Sequence, residues 1–304
     1  MNLTDLQPIK SALNIQQCRC PLEDYSIVEI SGDDNSKLLQ GQLTCDIDKL
    51  DDNQASLGAF CNVQGRVHAI FYIFKRDNNY YLVTPKDVVQ HLIAKLSIYS
   101  VFFKAQIIDV SQDYNLWGVY DTNNLSSDNK PYYPLETTAE YSRIYLPTYS
   151  AASLLISAKS HGTPDVIDSY PDSSEQIWDY LEVLARIPMV FNPTIEKLLP
   201  HFIGLDQVGG ISFDKGCYTG QEIVARMHYR GKLKTHSQLL LTNDNLSVSP
   251  ASKIYNAQNN EVGEVIRSAR YDGKTIILAS LADKALEQDL YFDTVENKLI
   301  LITE

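Results

Sequence analysis

Nowhere in these 304 residues does an apolar run approach the roughly 20 needed to cross a bilayer. The first dozen, Met1 to Ala12, carry neither the apolar segment of a secretory signal nor the arginine-rich amphipathy of a transit peptide. Cysteine is scarce: Cys18, Cys20, Cys45, Cys61 and Cys217 form no CxxC, and their odd number suits a disulfide framework poorly. These absences predict a soluble cytoplasmic protein with no membrane partner. Also missing are GxGxxG after a strand, GxxxxGK[ST], HExxH and GxSxG. The six histidines show no metal-ligand spacing with cysteine, so no metal is expected. Basic residues are few, 26 against 38 acids. The resulting net charge of −12 excludes non-specific coating of nucleic acid.

What is present is ordinary globular material, 44% hydrophobic and 21% charged, and enough chain for about two domains. Strand patterns run through Tyr25 to Ile30, Gln54 to Cys61, Arg66 to Lys75 and Tyr80 to Thr84, with a hairpin turn at 62–65. Further strands are expected at Phe102 to Val110, Trp117 to Tyr120, Arg143 to Leu146 and Leu154 to Ser157, and a polar loop from Thr122 to Pro131. Helical spacing covers Lys37 to Gln42 and Lys86 to Tyr99. Another helix is capped near Ser174 and runs to Ile187, where Pro188 stops it. Beyond Gly231 about six short strands follow in about 70 residues, the pattern of a small barrel or sandwich. The fold class is therefore α+β, with a body over 1–231 and a β domain over 232–304.

One segment carries chemistry. Residues 209–226 read Gly-Gly-Ile-Ser-Phe-Asp-Lys-Gly-Cys-Tyr-Thr-Gly-Gln-Glu-Ile-Val-Ala-Arg. Gly216 and Gly220 bracket Cys217 in a tight bend, and a helix can begin at Gln221. A thiol close to a helix start and to Lys215 is favoured as thiolate by dipole and cation. The bland reading is a small buried residue in a glycine-rich turn. The polar setting favours the functional one here, and the bland one for the other four cysteines. Just downstream, Arg226, Arg230, Lys232 and Lys234 fall in an acid-free stretch of +4, leaving −16 on the rest of the chain. That strip reads equally as a docking site for a polyanion and as a solvated hinge.

The octet Lys215 to Glu222 closely resembles the signature of the YgfZ family, folate-binding proteins associated with tRNA modification and related to the glycine cleavage T-protein, an aminomethyltransferase. Leu39-Gln40-Gly41-Gln42-Leu43-Thr44-Cys45-Asp46, Gly65-Arg66-Val67, Ile187-Pro188 and Gly209 to Phe213 resemble further features of that family. The resemblance implies a T-protein-like ring of three domains, two interwoven α+β lobes followed by a C-terminal β-barrel, around a channel that takes tetrahydrofolate or a derivative. It implies a tetrahydrofolate-binding accessory role supporting iron–sulfur enzymes and tRNA thiolation, with Cys217 as the functional thiol and Lys215 and Glu222 tuning or orienting it. Tyr25 and Trp178 fall where aromatic rings meet the folate, and Tyr218, Gln221, Arg226 and Arg230 complete the expected folate contacts. Three features depart from the family pattern. Tyr25 stands for a tryptophan. Leu184-Ala185-Arg186 replaces an expected acidic or basic stretch, leaving Glu182 or Arg186 to substitute. His68-Ala69 stands where the T-protein's catalytic aspartate would fall, so turnover by that chemistry is not expected. The alternatives are a folate-dependent aminomethyl or methyl transferase and a direct tRNA binder using the basic strip.

Overall fold

In a computed structural model of the chain, residues 15–123, 133–147, 151–230, 233–294 and 296–302 are described. Met1 to Ala12, most of the expected Thr122 to Pro131 loop, the expected 231/232 boundary, Lys232 and the Arg230 side chain lie outside the described residues.

Strands β1 (Gln17–Pro21) and β2 (Tyr25–Ser31) lead to helix α1 (Asn35–Gln40). A meander follows: β3 (Gln54–Cys61), β4 (Val67–Arg76) and β5 (Asn79–Pro85). Its middle strand is buried on both faces from Val67 to Phe74, all apolar or aromatic but for His68; helix α2 (Val89–Ser100) buries Val89, Leu92 and Leu96. Next come β6 (Gln106–Asp109), β7 (Tyr114–Asp121), β8 (Tyr133–Thr137), β9 (Tyr141–Tyr145) and β10 (Ala152–Ala158). The short α3 (Asp165–Asp168) precedes α4 (Glu175–Leu184). The Ser174 hydroxyl caps α4 by accepting from Gln176 N–H.

These ten strands form one sheet in the order β1-β7-β10-β9-β8-β3-β4-β5-β2-β6. Laid flat, β1 and β2 would stand about 38 Å apart, yet only Leu22, Glu23 and Asp24 join them, a link that reaches about 14 Å at most. The sheet therefore curls into a half-barrel. Among the described residues, the ladder joining its two five-stranded halves pairs Gln54 with Pro134 and Ala55 with Tyr133. Because β1 belongs to the half containing β7–β10, the described chain passes from one lobe into the other and returns, so the lobes are interwoven as expected.

Helix α5 (Gln221–Arg230) leads to a closed barrel, β11 (Thr235–Thr242), β12 (Lys253–Asn256), β13 (Glu261–Tyr271), β14 (Lys274–Ala282), β15 (Leu290–Phe292) and β16 (Lys298–Ile302), ordered β11-β14-β13-β12-β15-β16. Leu240, Ile254, Val265, Ile277 and Leu299 fill it, while Leu239, Ile266, Ala269, Ile276 and Leu278 join the main core of the body. The register of β13 shifts between Val265 and Arg267, so Ile266 and Arg267 both leave the barrel interior and Arg267 turns toward α4.

Two expected elements differ. The strand expected over 102–110 exists only at Gln106–Asp109; Val101 and Phe102 are exposed in the turn that ends α2, where the Tyr99 and Ser100 carbonyls accept from Phe102 and Phe103 N–H. Helix α4 stops at Leu184, short of Ile187, because Arg186 adopts a left-handed φ of 57° and Ile187 N–H bonds back to Glu182 O.

Candidate functional site

The loop carrying Cys217 is anchored on two earlier segments. Thr44 Oγ1 donates to Gly210 O at 2.6 Å, and Ser212 N–H donates to Thr44 O at 2.9 Å. Lys215 is buried, and its ammonium donates to the carbonyls of Gln40, Leu43 and Cys45 at 2.8, 2.7 and 2.8 Å. Thr219 donates to Gly41 O through its backbone and to Gln42 Oε1 through its hydroxyl. On the other side Gly220, at φ +84°, faces the 62–65 hairpin so closely that a Cβ would come within 2.5 Å of Asn62 O. Glycine is required there on both counts. Gly216 is not left-handed, and a Cβ on it would meet open space. The segments around 39–46, 65–67 and 215–222, far apart in sequence, thus form one assembly.

Cys217 stands exposed on this anchored loop, whereas Cys18, Cys20, Cys45 and Cys61 are buried. Burial pushes the Cys45 and Cys61 thiols up to about 12. All three donors of Lys215 are spent on carbonyls, so none remains for a thiolate. Tyr218 is buried with its ring 5.2 Å from the Lys215 ammonium, and burial raises its phenol well above the usual range. Gln221 is half-buried at the start of α5, and Glu222 and Arg226 are exposed along it.

Tyr25 and Trp178 belong to a different part of the body. Trp178 is fully buried on β7, where a Cβ added to Gly118 would come within 2.5 Å of its ring. Tyr25 OH donates to Glu182 Oε2, which also accepts from Arg267 Nη1 at 2.8 Å; Tyr72 OH donates to Glu182 Oε1 at 2.5 Å. Arg267 Nη2 reaches Asp179 at 3.1 Å. Glu182 is fully buried and Arg267 nearly so. Burial is the largest single influence and works against the guanidinium charge, but Glu182, Tyr25 and Asp179 together outweigh it and the Arg267 pKa is raised. Burial, with Glu182 beside them, lifts both phenols far above their ordinary range. Glu182 therefore sits where a substitute carboxylate was expected, but with both oxygens taken. At the seam where the curl of the sheet brings β1 and β7 toward β2, a cavity of about 410 Å³ is lined by Leu22, Tyr25, Tyr114 and Trp117, with Lys86 and Lys159. The tryptophan on this cavity is Trp117.

A further group escaped sequence reasoning. His68 is buried, with Nδ1 2.9 Å from His91 Nε2 and Nε2 3.8 Å from Glu196 Oε1; Asn62 Nδ2 also donates to that oxygen. A carboxylate thus lies beside His68 after all, brought from 128 positions away, and no linear spacing announces it. Burial pushes His68 down to about 4, against an unfolded value of about 6.5. The folded state therefore resists protonation between those values. Stability should be complete above about pH 6.5 and decline as pH falls toward 4. Urea midpoints measured across that window should fall less steeply in His68→Gln; an unchanged slope would assign the acid sensitivity elsewhere.

No protein-family model matches the chain. The tRNA-modifying protein YgfZ of Vibrio atlanticus is 30% identical over 220 residues, covering 72% of this chain and 68% of its own length. This chain belongs to the YgfZ family. The YgfZ of Aliivibrio fischeri is 29% identical over 287 residues, 91% of this chain and 88% of its own. In structure, the glycine cleavage system aminomethyltransferase T from Bartonella henselae is similar with a TM-score of 0.72, at 11% identity, over 96% of this chain and 86% of that one. At that identity the likeness is one of fold: interwoven lobes followed by a barrel. The octet that carries the YgfZ resemblance is the loop that presents Cys217, and among the described residues no helix is long and apolar enough to cross a membrane.

Proposed function

We propose that this chain is a tetrahydrofolate-binding accessory protein that supports iron–sulfur enzymes, those that thiolate tRNA among them, through the Cys217 thiol. The observation that carries the reading is the division of labour within residues 215–222. Lys215, Tyr218, Thr219 and Gly220 are committed to holding the loop, while Cys217 is left exposed. The folate belongs in the cavity at the sheet seam, where the rings of Tyr25, Tyr114 and Trp117 suit a pterin or aminobenzoyl face. Lys86 and Lys159 suit its glutamate carboxylates. Cys217 does not line that cavity. This favours redox exchange or transient cluster ligation over direct capture of a one-carbon unit.

Titration with reduced folates should quench fluorescence saturably. The quench should survive Trp178→Phe and be largely lost in Trp117→Phe, with calorimetric heat persisting in both. No saturable signal and no heat would remove the cofactor from the reading. A second reading, one-carbon transfer, gains support from Glu196 beside His68, which supplies a carboxylate where sequence showed none. Tetrahydrofolate-dependent release of a one-carbon unit from a protein-bound amine, lost in Glu196→Gln, would favour it.

A further inference from the structure

His201 is 1% exposed, yet neither ring nitrogen has a hydrogen-bond partner among the described residues. A buried imidazole normally bonds through at least one nitrogen, and an orphaned buried polar group costs about 1–3 kcal/mol. Asp206, five residues on, has a buried Oδ1 in the same condition. Both face His228 of α5: one nitrogen from each histidine and one Asp206 oxygen all lie within 4.8 Å of one another. Three ligating groups have thus been brought together, and both His201 nitrogens and one Asp206 oxygen are buried without another partner among the described residues.

We propose that His201, Asp206 and His228 form a site for one divalent transition-metal ion of the zinc class. Two imidazole nitrogens and one carboxylate oxygen are the donor set of zinc sites that keep a fourth position for water; magnesium and calcium prefer oxygen alone. Bond lengths of about 2.0–2.2 Å place tetrahedral ligands about 3.3–3.5 Å apart, so the group must draw in slightly. His228 can supply that movement, since it is exposed on α5 while His201 is fixed in the core. The ring of Phe213 stacks on His228 at 3.7 Å and 17°, and lies 6.0 Å from His201, so it orients the mobile ligand and screens one side. Phe213 belongs to the loop that carries Cys217. An ion here would therefore join the turn Pro200–Ile203, the segment just after it that carries Asp206, and α5, with the Cys217 loop packed alongside through Phe213. No linear motif signals the group, because its members are spread from 201 to 228.

The test is a titration of the metal-free full-length protein with Co²⁺, and then with Zn²⁺, in parallel with Cys217→Ser to remove the exposed thiol. One equivalent should bind with a Kd in the micromolar range or tighter, giving ligand-field absorption without a thiolate charge-transfer band. Zinc should displace cobalt and raise the melting temperature. Cys217→Ser should bind equally well. His228→Gln, on the exposed face of α5, and Asp206→Asn should each weaken binding at least about tenfold and remove the zinc-dependent rise in melting temperature. The proposal is overturned if no single equivalent saturates, if His228→Gln binds as tightly as the parent, or if binding vanishes in Cys217→Ser alone.

Discussion

Cys217→Ala should abolish function in cells lacking their own YgfZ protein, while the purified variant unfolds within about 0.5 kcal/mol of the parent. The two halves of this expectation have separate causes. Stability is spared because the side chain is exposed and the loop is held through its neighbours: three bonds from Lys215, two from Thr219, and the contact of Gly220 with the 62–65 hairpin. Function is lost because no other described thiol can stand in. Cys18, Cys20, Cys45 and Cys61 are buried, and for Cys45 and Cys61 a thiol held near 12 is almost never a thiolate at neutral pH. Iodoacetamide should accordingly alkylate Cys217 in the native protein well before the others, as read by peptide mass spectrometry. Cys61→Ala provides the opposite pattern, some loss of stability with function retained. A Cys217→Ala variant that complements fully would take the thiol out of the mechanism.

How much of this was legible beforehand depends on how locally each feature is encoded. Strands Gln54–Cys61 and Leu290–Phe292 follow directly from their residue patterns, and six short strands after residue 231 do close into a barrel. The end of α4 was misjudged because the left-handed residue that closes it is an arginine, which carries none of the signal a glycine would. Phe102 looked like strand on apolar character alone, but without alternation it has no partner face and is left in solvent. The octet was readable because its spacing is local. The packing of Lys215 under the 40–45 turn was not, and it changes that residue from a tuner of the thiol into an anchor. Glu182 with Arg267, Glu196 with His68, and His201 with His228 are juxtapositions made by sheet curl and barrel docking. Separations of 85, 128 and 27 positions leave no periodic trace.

Arg267→Met should destabilise the protein by about 3–5 kcal/mol in urea denaturation, although it exchanges a buried charge for a well-sized apolar side chain. The reason lies in what remains. Glu182 has no exposed surface, and without the guanidinium its carboxylate keeps only the Tyr25 and Tyr72 hydroxyls. Adding Glu182→Gln should therefore recover at least about 2 kcal/mol, since the amide oxygen can still accept from a tyrosine and no bare charge remains buried. Arg267→Lys should rescue only partly, because one ammonium cannot match a planar fork that reaches Glu182 at 2.8 Å and Asp179 at 3.1 Å together. The pair also spans the junction, a β13 side chain redirected by the bulge gripping a helix of the body. Its loss should split unfolding into two transitions, barrel and body melting separately. A single Arg267→Met cost below about 1 kcal/mol would mean that water reaches Glu182. That carboxylate would then be open to a ligand, and the reading of a cluster closed around Glu182 would fall.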